Sequence, residues 1–173
     1  MTGHLQLPDE VATIAFGSAL ALAFIESRTL DPTTALCLYL RGDLGAGKST
    51  LARALLRGLG ITGKIKSPTY ALIEPYDSAY GLLLHMDLYR FTEPAELEYL
   101  GLDSLLSQAK LMLFEWPEKA SAVLPAPDLE ISLGHADEGN HVGDDVAEGG
   151  RTLKIAALSA TGNLLMPKLV LFL

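Results

Sequence analysis

A chain of 173 residues, 49% hydrophobic and 20% charged, has the length of one globular domain and the apolar side chains to fill its core. Its formal charge of -8, from 13 Lys plus Arg against 21 Asp plus Glu, argues against a free-standing nucleic-acid binder, because neutralising phosphates takes a clustered basic surface. A single cysteine, Cys37, excludes an internal disulfide framework or a cysteine metal cage and fits a reducing, cytoplasmic setting.

The start, MTGHLQLPDE, is polar and acidic where a signal peptide is basic and then apolar, and no uninterrupted apolar run reaches the roughly 18 residues of a membrane span, so no membrane partner is expected. Over residues 7–27, Val11, Ile14, Ala15, Ala19, Leu22 and Ala23 fall near helical spacing behind Asp9 and Glu10, which predicts a surface helix with these residues on its apolar face. DPTTALCLYL reads as a turn and a buried strand, followed by a glycine loop and a helix, KSTLARALLRGLG, closed by Gly58 and Gly60. YALIEPY and GLLLHMDLYR form a strand pair around DSAY, TEPAELEYLGLDSLLSQA a helix, and KLMLFEW a further strand. DLEISL and RTLKIAAL flank a glycine- and acid-rich stretch, 134–150, read as a long flexible hairpin loop, and the apolar tail LLMPKLVLFL reads as a core strand. Strands alternating with helices early and hairpins late predict one domain over 1–173 of the α/β class, a mixed central sheet with antiparallel additions.

The chemistry concentrates in LRGDLGAGKST. Gly42, four residues, Gly47, Lys48 and Ser49 satisfy G-x-x-x-x-G-K-[ST], with a strand predicted before and a helix after, as a phosphate-binding loop requires. The whole loop, Gly42, Asp43, Leu44, Gly45, Ala46, Gly47, Lys48, Ser49 and Thr50, is the expected nucleotide contact. Glycines let backbone N–H groups converge on phosphate oxygens, Lys48 reaches the β and γ phosphates, Ser49 ligates Mg²⁺, and Thr50 offers a hydroxyl to the α phosphate. Two acids, Asp87 after LLLHM and Glu115 after LMLF, end apolar strands. If those strands run parallel to the one feeding the loop, one carboxylate holds Mg²⁺ and the other polarises water, without the sequence saying which. The competing assignments are a cap for Asp87 and an ion pair with Lys119 or an arginine for Glu115. Thr69 in SPTY is placed to sense the γ phosphate or Mg²⁺, against a plain turn hydroxyl. His85 reads as a core histidine, Trp116 and Tyr89 as core or pocket wall, and Arg90 as a surface ion pair, against a role in neutralising phosphate charge. The guanine-specifying N/T-K-x-D is absent, which favours ATP.

GDLGAGKST, SPTY, HMDLYR and FEWPE, in this order in so short a chain, together resemble the TsaE (YjeE) family over roughly residues 7–155. The resemblance implies a P-loop NTPase-like three-layer fold. It also implies an Mg²⁺-dependent ATPase needed for the threonylcarbamoyl modification of adenosine 37 in tRNAs reading ANN codons, acting on a complex of TsaD and TsaB and meeting tRNA only through that complex. Carried over by position, Lys48 and Ser49 match the phosphate and Mg²⁺ residues, Thr69 the switch threonine, and Asp87 and Glu115 the essential acids. Two other classes fit a phosphate loop: a small-molecule kinase, disfavoured because no arginine lies between Arg90 and Arg151 to form a lid, and a nucleotide-gated binding module with little hydrolysis.

Overall fold

The computed structural model describes residues 1–66, 68, 71–91, 102–136 and 150–173. The elements run β1 (Thr2–Leu7), α1 (Glu10–Leu30), β2 (Leu36–Arg41), α2 (Lys48–Gly58), β3 (Ile73–Ser78), β4 (Gly81–Asp87), α3 (Leu102–Gln108), β5 (Ala109–Glu115), β6 (Leu129–His135), β7 (Arg151–Ala157) and α4 (Ala160–Leu171). The strands form one seven-stranded sheet in the order β1-β7-β6-β2-β5-β4-β3. Its centre, β6-β2-β5-β4, is parallel; β7 and β1 extend it antiparallel at one edge and β3 at the other. This is the mixed sheet with antiparallel additions that the sequence predicts. Pro75, which has no N–H for a ladder, sits on the edge strand β3, where that lack is tolerated.

Alternation along β2 divides the core. Leu36, Leu38 and Leu40 turn to one face, where they meet Phe16, Leu20 and Phe24 of α1, Leu51 and Leu55 of α2 and Leu165 of α4. Cys37 and Tyr39 turn to the other and join Met86, Phe91, Leu102 and Phe114. Each leucine so buried contributes about 2 kcal/mol by removal from water. Burial pushes the Cys37 thiol up to about 12, so it behaves as a small core side chain and not as a nucleophile.

Three expectations are corrected. The helix at α1 exists, capped by Asp9, whose carboxylate accepts the Ala12 N–H at 2.7 Å, but its inward face is Phe16, Leu20 and Phe24, while Val11, Ile14, Ala15 and Leu22 are exposed. A helix apolar all round carries no phase in its sequence. Of the described residues only α1 is long and apolar enough to cross a membrane; half of that window is buried inside the fold, as befits a core helix. The tail is not a strand. Ser159 caps a helix by accepting the Gly162 N–H at 3.1 Å, and Pro167 lies inside that helix. The N-terminal residues, read only as polar, form β1, paired with β7. β6 and β7 are antiparallel neighbours, as a hairpin requires, with Gly134 and His135 inside β6; residues 137–149 of the expected loop lie outside the described residues.

Candidate active site

The parallel register sets three residues side by side at the carboxyl ends of the central strands: Leu40 opposite Glu115, and Glu115 opposite Asp87. In parallel strands such partners face the same way, here toward the start of α2. The loop from Gly42 to Gly47 leaves β2 at this edge and feeds α2, the first turn of which holds Lys48, Ser49 and Thr50. Gly42 has φ of 133°, and a Cβ there would lie 2.1 Å from the Leu133 carbonyl oxygen, so only glycine fits. Gly47 precedes the helix at φ 100° and provides no side-chain cap, leaving the first N–H groups of α2 for a ligand. In the same loop Ala46 is buried, whereas Asp43, Leu44 and Gly45 are exposed.

Lys48 is buried, and its ammonium folds back onto the loop: Nζ donates to the carbonyls of Gly42 at 2.6 Å and Asp43 at 2.8 Å and lies 4.0 Å from the centre of the Trp116 ring. Burial lowers its pKa from the ordinary lysine value, opposed by the nearby carboxylates of Glu115 and Asp87. Ser49 Oγ donates to Glu115 Oε2 at 2.9 Å, and His85 Nε2 is 2.8 Å from Glu115 Oε1. Glu115 therefore contacts neither Lys119 nor an arginine by these bonds; its partners are the loop serine and a buried histidine. Asp87 Oδ1 accepts the Tyr89 N–H at 3.0 Å, so the capping role weighed for it is present alongside its place at the site.

A cleft of about 440 Å³ opens over these groups, walled by Lys48, Ser49, Asp87, Arg90, Glu115 and Trp116 among others. Tyr89 packs on Trp116 with ring centres 5.0 Å apart, so both wall residues behave as read. Arg90 faces the cleft, which the sequence reading had not favoured. A smaller cavity of about 110 Å³ on the other side of the loop is bounded by Glu10, Thr13, Gly45, Gly47, Thr50 and Arg151. Arg151 Nη2 donates to the Gly45 carbonyl at 3.3 Å, a loop contact that the sequence reading missed because 106 residues separate the two. His85 was also passed over as a site neighbour; its period-two spacing from Asp87 was the available signal. Thr69 lies outside the described residues.

The oxygen donors Ser49, Glu115 and Asp87 suit Mg²⁺, a hard cation that takes one or two carboxylates and fills its remaining positions with phosphate and water. Among the described residues no group of three or more His, Cys, Asp or Glu side chains forms a self-sufficient metal cage.

A glycine-rich loop entering a helix, flanked by acids at the ends of neighbouring parallel strands, defines a P-loop nucleotide-binding α/β protein. Residues 7–142 match the family described as Threonylcarbamoyl adenosine biosynthesis protein TsaE. The tRNA threonylcarbamoyladenosine biosynthesis protein TsaE of Haemophilus influenzae is 38% identical over 136 residues, 79% of this chain and 84% of that protein. Its counterpart in a Nostoc species is 37% identical over 71% of this chain and 76% of its own length. The crystal structure of Bacillus subtilis YdiB superposes with a TM-score of 0.71 at 26% identity, covering 98% of this chain and 95% of that one. The chain belongs to the TsaE family, and its role lies in tRNA threonylcarbamoyladenosine biosynthesis.

Proposed function

We propose that the chain is an Mg²⁺-dependent ATP hydrolase of the cytoplasm that acts on a TsaD–TsaB complex in the modification of adenosine 37 of tRNA. The observation that carries this reading is the convergence of Ser49, Glu115 and Asp87 beside Lys48 at one sheet edge. A loop that merely held phosphate would not need two carboxylates, which repel it. Lys48 exchanges its two loop carbonyls for the β and γ phosphate oxygens, and the first N–H groups of α2 accept the remaining charge. Ser49 and Glu115, which are in contact, would hold Mg²⁺, and the ion would supply positive charge for the phosphates. Asp87, at the other end of the acid pair, orients a water for attack on the γ phosphorus; the new O–P bond forms as the bond to the β-phosphate oxygen breaks, and Asp87 takes the proton from the water. Thr69 is assigned the γ-phosphate sensor on sequence grounds alone. The chain's charge of -8 leaves tRNA contact to the partner complex.

Phosphate release from ATP, measured for the chain alone, with TsaD and TsaB, and then with tRNA, tests the proposal. Turnover that requires Mg²⁺ and rises with the partners is expected. No hydrolysis under any of these conditions would leave a nucleotide-gated binding module, and transfer of the γ phosphate to a metabolite would make it a kinase.

A further inference from the structure

Diagonal to Glu115, on the neighbouring strand β4 and opposite Leu113, lies His85, with 0% of its surface exposed. It is two residues from Asp87 on β4, so both side chains leave the same face of the strand, the face from which Glu115 meets Ser49. The neighbours of His85 on this strand are Leu83, Leu84 and Met86, and any of these would fill the same space without a polar atom. The cost of the imidazole is visible: Nδ1 is buried with no hydrogen-bond partner among the described residues. What the ring gains for that cost is one contact, Nε2 to Glu115 Oε1 at 2.8 Å.

Where Glu115 accepts through Oε1, the ring donates through Nε2–H, and in the neutral ring Nδ1 then carries no proton. With Oε1 held by His85 and Oε2 met by Ser49 Oγ, the Glu115 carboxylate is fixed at both oxygens. Remove the histidine bond and the carboxylate can rotate about its last torsion. The Lys48 ammonium, the charge that the phosphates need, then attracts it, and Asp87, its partner in the ladder, repels it.

We propose that His85 is a positioning residue: its Nε2–H pins one oxygen of Glu115, so that the other is presented singly to Ser49 and the cleft. This rests on the reading of the cleft as an Mg²⁺–ATP site. The ring is not among the residues that wall the cleft and acts through Glu115.

Three proteins test it: wild type, His85→Met, which keeps bulk and removes the donor, and His85→Gln, the amide of which can donate from the Nε2 position. The first readout needs no nucleotide: ¹⁵N chemical shifts of the histidine rings are expected to show one histidine held as the Nε2–H tautomer, missing from both variants. The second is calorimetric titration of Mg²⁺ into protein saturated with a non-hydrolysable ATP analogue. Loss of such an outer partner of a metal-binding group weakens metal affinity about 10- to 100-fold. That loss is expected in His85→Met, with affinity for the analogue in EDTA unchanged, and most of it should be recovered in His85→Gln. Equal losses in the two variants would show that ring shape alone matters, and wild-type Mg²⁺ affinity in His85→Met would show that the bond positions nothing; either overturns the proposal. Should His85→Met fail to fold, the tautomer decides, since an Nδ1–H ring cannot make the bond. If wild type itself binds no Mg²⁺ with the analogue, the hydrolase reading fails, while the ring spectrum still reports whether His85 holds Glu115.

Discussion

The hydroxyl of Ser49, in the first turn of α2, donates to Glu115 Oε2 at the end of β5 over 2.9 Å, joining the loop serine to one acid of the pair. Groups in direct contact are expected to couple. Ser49→Ala and Glu115→Gln should each reduce Mg²⁺-dependent phosphate release severely, and the double variant should lose less than the two losses summed, with a coupling of roughly 0.5–3 kcal/mol. Ser49→Thr, which keeps the hydroxyl, should retain turnover. Strict additivity in a double-mutant cycle would separate the two residues functionally.

Lys48 makes a prediction about stability with a definite sign. Its folded pKa is lowered by burial, so at neutral pH the charged ammonium opposes folding, and that opposition is relieved as pH rises from the lowered value toward the ordinary lysine value of the unfolded chain. Lys48→Met should therefore unfold at a urea midpoint no lower than wild type at pH 7, with any advantage shrinking as pH approaches 10, while ATP turnover is abolished. A Lys48→Met variant that unfolds far more easily than wild type at pH 7 would contradict this account.

The single tryptophan is a built-in reporter. Lys48 Nζ lies over the Trp116 ring, and an ammonium that moved to a bound phosphate would leave that ring. Adding ATP should shift Trp116 emission in wild type but not in Lys48→Met, as read by steady-state fluorescence.

Two glycines with positive φ separate crowding from backbone strain. A Cβ at Gly60 meets nothing within 4 Å, whereas at Gly42 it strikes the Leu133 carbonyl. Gly60→Ala should cost about 1 kcal/mol of backbone strain. Gly42→Ala should cost more and weaken nucleotide binding, because the loop must move to relieve the clash; denaturant unfolding and analogue titration of both variants would check this.

The loop and the two acids were legible because a strand end is marked in sequence: an apolar run stops at Gly42, Asp87 and Glu115, and parallel strands bring such stops to one edge. What was not legible arose where the local pattern is mute. Val11, Ile14 and Leu22 follow helical spacing as well as Phe16, Leu20 and Phe24 do, and the sheet, α2 and α4 together select the second set. The tail was misread because Pro167 looks like a break and apolar residues look like a strand, whereas what fixes the helix is Asp128, which accepts a hydrogen bond from the Ser159 hydroxyl and, at 2.8 Å, one from the Cys37 N–H. His85 resembles any buried histidine until its partner is seen.

The pairing of β1 with β7 sets an order on synthesis. Thr2 lies opposite Ala156 and Leu7 opposite Arg151, so β1 has no sheet partner until β7, far along the chain, has been made. The parallel centre, β2 with β5 and then β6, can assemble earlier, over shorter loops. Until β7 has been made, the β6 edge of that growing sheet has neither β7 nor β1 to cover it, and an open edge is a template for pairing with another chain. A chain cut before β7 should thus associate with itself, even when every residue of the phosphate loop is present.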